Sequence, residues 1–432
     1  MNSTFSVSEI DARILADFRL KTDSLADTVV SKIIDSGDEK KVNQMMMTLF
    51  RNDGFQKGMF TSLGQDLSNI LDDYIEESGK LPSWADSAKI NGGEKLFSLY
   101  GPEIFMLLNV SSLPMCYTCA KGAQVLYETG RLLSHNGNID PLARRLMETA
   151  QMVVNVMSEG GLSDNGKGIV TLQKVRLIHA SIRHFLKAGE YHQTVWDVDK
   201  FGEPINQEDL AGTLMSFGPV ILAGMKRLNI ELTDKQISDY MHSWKVVGHL
   251  MGIDEKLLPD SYADGFELAT QILKHQAEES EAGKALTTSC IQFMNSLVPG
   301  NAFNDVPAYF IEYFLKDFAA STEMNLAPCI GVAGQASKKD RIILGLSKFF
   351  IGELSHLEEH ELIQKITSGF NKKLLEGIIH HFNDGKEVQF YIPPSLQEDW
   401  GLVDEWENRI ASPGIFGNRL ALQRKIKPNN HE

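Results

Sequence analysis

The chain predicts an all-α fold, and three observations predict it. Apolar residues recur at three-to-four spacing along most of the 432 residues, as in Ile10, Ile14, Leu15 and Phe18 and again in Leu67, Ile70 and Leu71. Breakers at Asn136-Gly137-Asn138, Gly160-Gly161, Asp384-Gly385 and Pro393-Pro394 fall between the periodic stretches, not inside them. Strand-like alternation is confined to Glu387–Ile392, too isolated to build a sheet.

Taken in order, the residues before about 95 read as a helical cap on a later core. Helical periodicity then runs over 101–129, 139–158, 169–188, 206–228, 233–251, 259–279, 281–297, 303–321 and 340–382. Thr233-Asp-Lys-Gln236 is a capping box and starts the helix that follows it. Gly202 and Pro204 predict a turn, with Asn206 or Asp209 capping the next helix. No repeat and no Pro- or Gly/Ser-rich linker divides the chain. A cap (1–95), a core (96–330) and a C-terminal helical extension (331–432) are therefore expected to pack as one unit.

Composition narrows the function. Hydrophobic residues at 43% and charged residues at 23% are enough for a packed core and exclude long-range disorder. Lys plus Arg number 42 against 57 Asp plus Glu, and a net charge of −15 repels phosphate backbones, so nucleic acid is not an expected partner. The N-terminus lacks a basic, apolar leader, which makes a cytoplasmic location the expectation. The uncharged runs Ile104–Ala120 and Leu210–Met225 contain Pro114 and Pro219 and fall short of the ~20 apolar residues of a spanning helix. They read as buried helices, and no transmembrane segment is expected. Four cysteines cannot form a disulfide framework. Cys116-Tyr-Thr-Cys119 is followed by Ala120 rather than the His of a c-type haem attachment, and it reads as two buried helix thiols.

Two patterns carry candidate chemistry. In Lys174-Val-Arg-Leu-Ile-His-Ala-Ser-Ile-Arg183, His179 shares a helix face with Val175, Ile178 and Ile182, so its imidazole points into an apolar interior. Arg176 and Arg183 flank it at i−3 and i+4. The residues alone fit either a hydrogen-bonded core histidine or an iron ligand with arginines in reach of acidic groups on a cofactor. Thirty residues earlier, Arg145 and Thr149 stack at i and i+4, either as a solvated face or as a donor pair aimed into a pocket. The rival is His356-Leu-Glu-Glu-His360, which puts two imidazoles one helical turn apart with Glu359 as a base, as in an inverted zinc-peptidase motif. It lacks an evident third ligand.

The order of motifs resembles a known family. Arg145-x-x-x-Thr149, Arg176-x-x-His179-Ala180-x-x-Arg183, Trp196, Gly202-x-Pro204-x-Asn206-Gln207-x-Asp209-Leu210, Gly248-x-Leu250-x-Gly252-Ile253 and Leu258-Pro259 follow the pattern of the MpaB-like, latex-clearing-protein (rubber oxygenase) catalytic domain. The resemblance spans roughly residues 100–320. It implies a globin-like helical core holding haem b, with His179 as the axial iron ligand and Arg176 and Arg183 as cofactor-binding residues. It also implies catalytic roles for Arg145, Thr149 and Glu128, the last matching a proposed base with spacing one residue off. A lysine that reaches the distal side in some members falls on Glu148. The expected activity is therefore a haem-dependent oxygenase using dioxygen on a small apolar, isoprenoid-like substrate. The alternatives are a haem-binding sensor or carrier without turnover, and a zinc hydrolase at His356, Glu359 and His360.

Overall fold

The computed structural model describes residues 7–36, 45, 54–55, 57–129, 140–189, 195–297 and 305–334. The expected helix over 340–382, the strand-like Glu387–Ile392 and the His356–His360 motif lie outside the described residues. Among those described the molecule is all-α, with no strand beyond a single bridge between Cys119 and Ala277.

The N-terminal cap opens with α1 (Ala12–Phe18) and α2 (Ser24–Asp35), capped by Asp11 and Asp23, whose carboxylates accept the otherwise orphan N–H groups of the first turn. With α3 (Gln65–Ser78) they form a small cluster of their own, in which Val29, Ile33, Leu71 and Tyr74 close over Leu177 and Ala180. α4 (Ser87–Leu107) crosses the division expected at residue 95 and packs along α12 (Asp234–Leu250), so residues 87–95 belong to a helix of the core.

The helix expected over 101–129 is real but broken twice. Pro114 has no N–H to return to the carbonyl four residues back, and the chain relaxes into a π-helical turn over Leu108–Ser112 before α5 (Leu113–Thr118). Cys119 then leaves the helical region (φ −76°, ψ 87°), and the Thr118 carbonyl accepts the Glu278 amide at 3.1 Å, after which α6 (Ala120–Glu128) begins. By length and composition the run Ser87–Thr118 is apolar enough to cross a membrane. Sixty-seven per cent of its apolar window is buried inside the molecule, and every residue of Ile104–Ser112 is buried, as the sequence reading of a core helix expects.

α7 (Asp140–Met157) and α8 (Lys167–Ala188) pack against each other across the Gly160-Gly161 turn. A one-turn α9 (Val198–Phe201) leads to α10 (Gln207–Phe217), capped by Asn206 through the Asp209 amide. Gly218 and Pro219 split the expected 206–228 helix into α10 and α11 (Pro219–Arg227). Thr233 and Gln236 form the expected capping box on α12. α13 (Tyr262–Gln276), α14 (Glu281–Leu297) and α15 (Val306–Thr322) complete the core. Phe97, Phe293, Phe310 and Phe314 are all but inaccessible there.

Candidate functional site

The helices line a partly open cavity of about 520 Å³, within the ~300–1,000 Å³ range of small-molecule sites. Its wall is mostly apolar and draws on the π turn and α5 (Leu108, Cys116), α7 (Thr149, Met152), α8 (Val175, Ile178, His179, Ile182), α10 (Leu210, Thr213), α12 (Trp244, Val247) and α13 (Ile272). The π turn widens the helix where Leu108, Asn109 and Ser112 reach this wall. Asn109 donates to the Phe105 carbonyl at 2.8 Å and Ser112 to the Ser216 carbonyl at 2.6 Å, which leaves the irregular backbone tied down.

His179 stands on the wall with the apolar stripe of α8 that the sequence places beside it. No other histidine lines the cavity among the described residues. Across from α8, Thr149 and Glu148 of α7 also reach the wall. The two helices are pinned by a polar pair: Asn155 donates to the Thr171 hydroxyl at 3.0 Å and accepts from Gln151 at 2.9 Å, all three on the cavity wall. Arg145 lies one turn before Thr149 on α7, and its side chain is outside the described residues. Glu128 is not on the wall; it accepts from Gln124 at 2.7 Å on α6.

The two flanking arginines do not join the cavity. At about 100° per residue, Arg176 and Arg183 sit some 40–60° around α8 from His179, and that rotation carries them into the groove against α2. There Arg176 makes a bidentate pair with Asp23 (2.6 and 2.8 Å) and donates to the Leu250 carbonyl at 3.2 Å. Arg183 pairs with Asp27 (2.6 Å) and donates to the Ile205 carbonyl at 3.2 Å. Their expected place beside a cofactor is therefore corrected: they fasten the cap to the back of α8. Lys174 is the α8 cation on the cavity wall.

Several motif residues prove to be joints. Gln207 donates to the Thr22 and Gly252 carbonyls (3.1 and 2.9 Å) and accepts from the Asp254 amide (2.8 Å), sewing two loops to α10. Trp196 donates to the Gly202 carbonyl at 2.7 Å. Gly202 (φ +73°) lies so close to Arg19 that a Cβ would stand 2.9 Å from its backbone oxygen. Gly252 (φ +75°) leaves room for the Arg176 guanidinium, 2.6 Å from where a Cβ would be. A Gly252→Ala variant meets both a left-handed backbone and that clash, and should lose about 1–3 kcal/mol of unfolding free energy in urea titrations. A wild-type midpoint would contradict the close approach.

The first turn of α10 holds an ionic group whose partners the sequence did not reveal, although Asp209 belongs to the motif. Arg19 of the cap bridges Glu208 (3.2 Å) and Asp209 (2.9 Å), and His275 meets Glu208 at 2.6 Å. Burial pushes the Asp209 carboxyl upward, against the pull of Arg19. The only written signal was two carboxylates following a helix cap in an apolar surrounding. Cys116 and Cys119 lie on the wall as protonated thiols, Cys116 pushed up by burial to about 11, which suits packing and not redox chemistry. Among the described residues no three metal-ligating side chains converge.

Among the described residues, fold and site define a helical protein with one histidine on the wall of a partly open, mostly apolar cavity. Residues 112–324, about half of the chain, match the family described as "ER-bound oxygenase mpaB/B'/Rubber oxygenase, catalytic domain". It is 25% identical over 280 residues to the rubber oxygenase of Streptomyces sp. (strain K30), a match that spans 64% of each chain. Its fold is similar to the structure of latex clearing protein LCP in the closed state, with a TM-score of 0.64 at 18% identity over 90% of this chain and 98% of that one.

Proposed function

We propose that this protein is a haem-b-dependent oxygenase that uses dioxygen to cleave a carbon–carbon double bond in a small apolar, isoprenoid-like substrate, yielding two carbonyl products. The observation that carries the reading is His179, the single imidazole among the described residues on the wall of a mostly apolar cavity large enough for a prosthetic group. A bare catalytic ion needs three or more protein ligands, which the described residues do not bring together. One histidine suits a metal that arrives already bound in an organic prosthetic group. The residues therefore fit haem better than a naked metal.

Haem bound here would supply a redox-active iron able to activate dioxygen. The remaining work belongs to the chain. His179 would hold the iron as a neutral imidazole. Thr149, whose hydroxyl can donate, would orient oxygen or substrate from α7, with Arg145 one turn away as the cation proposed to steady developing negative charge. The apolar wall of α5, α10 and α13 binds the hydrocarbon and excludes water. Glu128, held by Gln124, has no role as a base in this proposal.

The test is oxygen uptake by the haem-loaded protein with unsaturated isoprenoids, with products trapped by a hydrazine reagent. Stoichiometric uptake with trapped carbonyls is expected. Thr149→Ala should preserve the far-ultraviolet spectrum and lower turnover about 10- to 100-fold, as loss of one positioned donor does. Reversible oxygen binding with no uptake across the substrate panel would turn the reading to a sensor or carrier.

A further inference from the structure

The segment that joins the cap to the core is held against α12 by histidines. α3 ends at Ser78 and α4 begins at Ser87, and Trp84 between them lies edge-on to the rings of His242 and His249, 5.9 Å from each. Lys245, on the same face of α12, sets its ammonium 4.4 Å from the centre of the Trp84 ring and pairs with Asp260. Asp86 caps α4: its carboxylate accepts the Ala88 and Lys89 amides at 2.8 and 3.3 Å. The Asp86 amide in turn donates to His242 Nε2 at 2.9 Å. His249 is engaged elsewhere, with Nδ1 2.5 Å from Glu255.

The bond to His242 depends on protonation. A ring nitrogen that accepts from an amide carries no hydrogen, so the neutral ring keeps its own on Nδ1. A second proton would set N–H against N–H and break the contact. The charged groups facing the ring are Asp86 and Lys89 at the start of α4, Lys245 of α12 and Asp260 beyond it. Half-burial, with Lys89 and Lys245, holds the imidazole below its ordinary value, against the pull of Asp86 and Asp260. We propose that His242 makes this joint a pH-sensitive clasp, closed while the imidazole is neutral and released in mild acid, so that residues 81–86 lift from α12 while the core stays folded. A histidine that the fold keeps neutral stabilises fully above its unfolded value of about 6.5, and the contribution is lost as pH falls through the lower folded value. Trp244 and Val247 reach the cavity wall from the opposite side of α12, so the clasp does not depend on what the cavity binds or turns over.

Hydrogen exchange of the full chain tests it, read by mass spectrometry in peptides covering residues 79–90 and corrected for the intrinsic effect of pH on the rate. Protection there should fall about fivefold between about pH 7.5 and about pH 5, the worth of one hydrogen bond, while peptides of α14 keep theirs. In His242→Gln, whose Oε1 can accept the amide and does not titrate, protection should stay level across that range. His249→Gln should leave the fall in place. Equal protection at both pH values in the wild type overturns the proposal. So does a fall that survives in His242→Gln, or one that disappears in His249→Gln.

Discussion

His179→Ala should leave a folded protein that has lost nearly all capacity to retain haem. The imidazole is the sole histidine on the cavity wall among the described residues, so no neighbour can take its place. Losing an outer-shell partner already costs metal sites about 10–100-fold in affinity, and losing the ligand itself costs more. Haem content after gel filtration, read as the pyridine haemochrome, measures the loss. Adding imidazole to His179→Gly should restore a haem spectrum, which a merely structural histidine would not do. Wild-type haem content in His179→Ala would overturn the assignment. His184, set edge-on to Phe185, and His192, outside the described residues, would then be examined.

The second large effect is on stability. Arg176 and Asp23 are 7% and 5% exposed and share two short hydrogen bonds. Removing one partner of such a pair strands the other as a desolvated charge, so Arg176→Ala should cost about 3–5 kcal/mol in urea unfolding. Asp23 also caps α2 through the Ala26 amide, a task asparagine can perform. Arg176→Met combined with Asp23→Asn should therefore recover about 1–3 kcal/mol of that loss. A cofactor-binding arginine behaves differently. Its removal would weaken haem retention and leave the haem-free protein nearly as stable as before, and that pattern would restore the role the motif suggests.

The contrast between His179 and its two arginines shows where the sequence is legible. Periodicity located α7, α8, α12 and α14 to within two residues at each end, because an amphipathic stripe and a cap are both local properties. The same stripe put His179 with Val175, Ile178 and Ile182 on an interior face. Arg176 and Arg183 needed more. Their environment is set by Asp23 and Asp27, about 150 residues earlier in the chain, and no spacing rule connects the two segments. The breaks at Leu108–Ser112 and Cys119 were missed for a related reason. Pro114 announces a disturbance, but whether it becomes a kink, a π turn or a stop depends on what packs around it.

The arginine–carboxylate joints have a consequence for where the domain begins. The family match starts at residue 112, yet Arg176, Arg183, Glu208 and Asp209 inside it are neutralised by Asp23, Asp27 and Arg19 outside it. α12, also inside, leans on α4, which is outside. The unit defined by shared ancestry should thus be smaller than the unit that folds on its own. A fragment of residues 112–324 would carry several stranded charges and an uncovered apolar flank, and should be recovered as aggregate. A fragment that starts at α1 should instead be recovered folded.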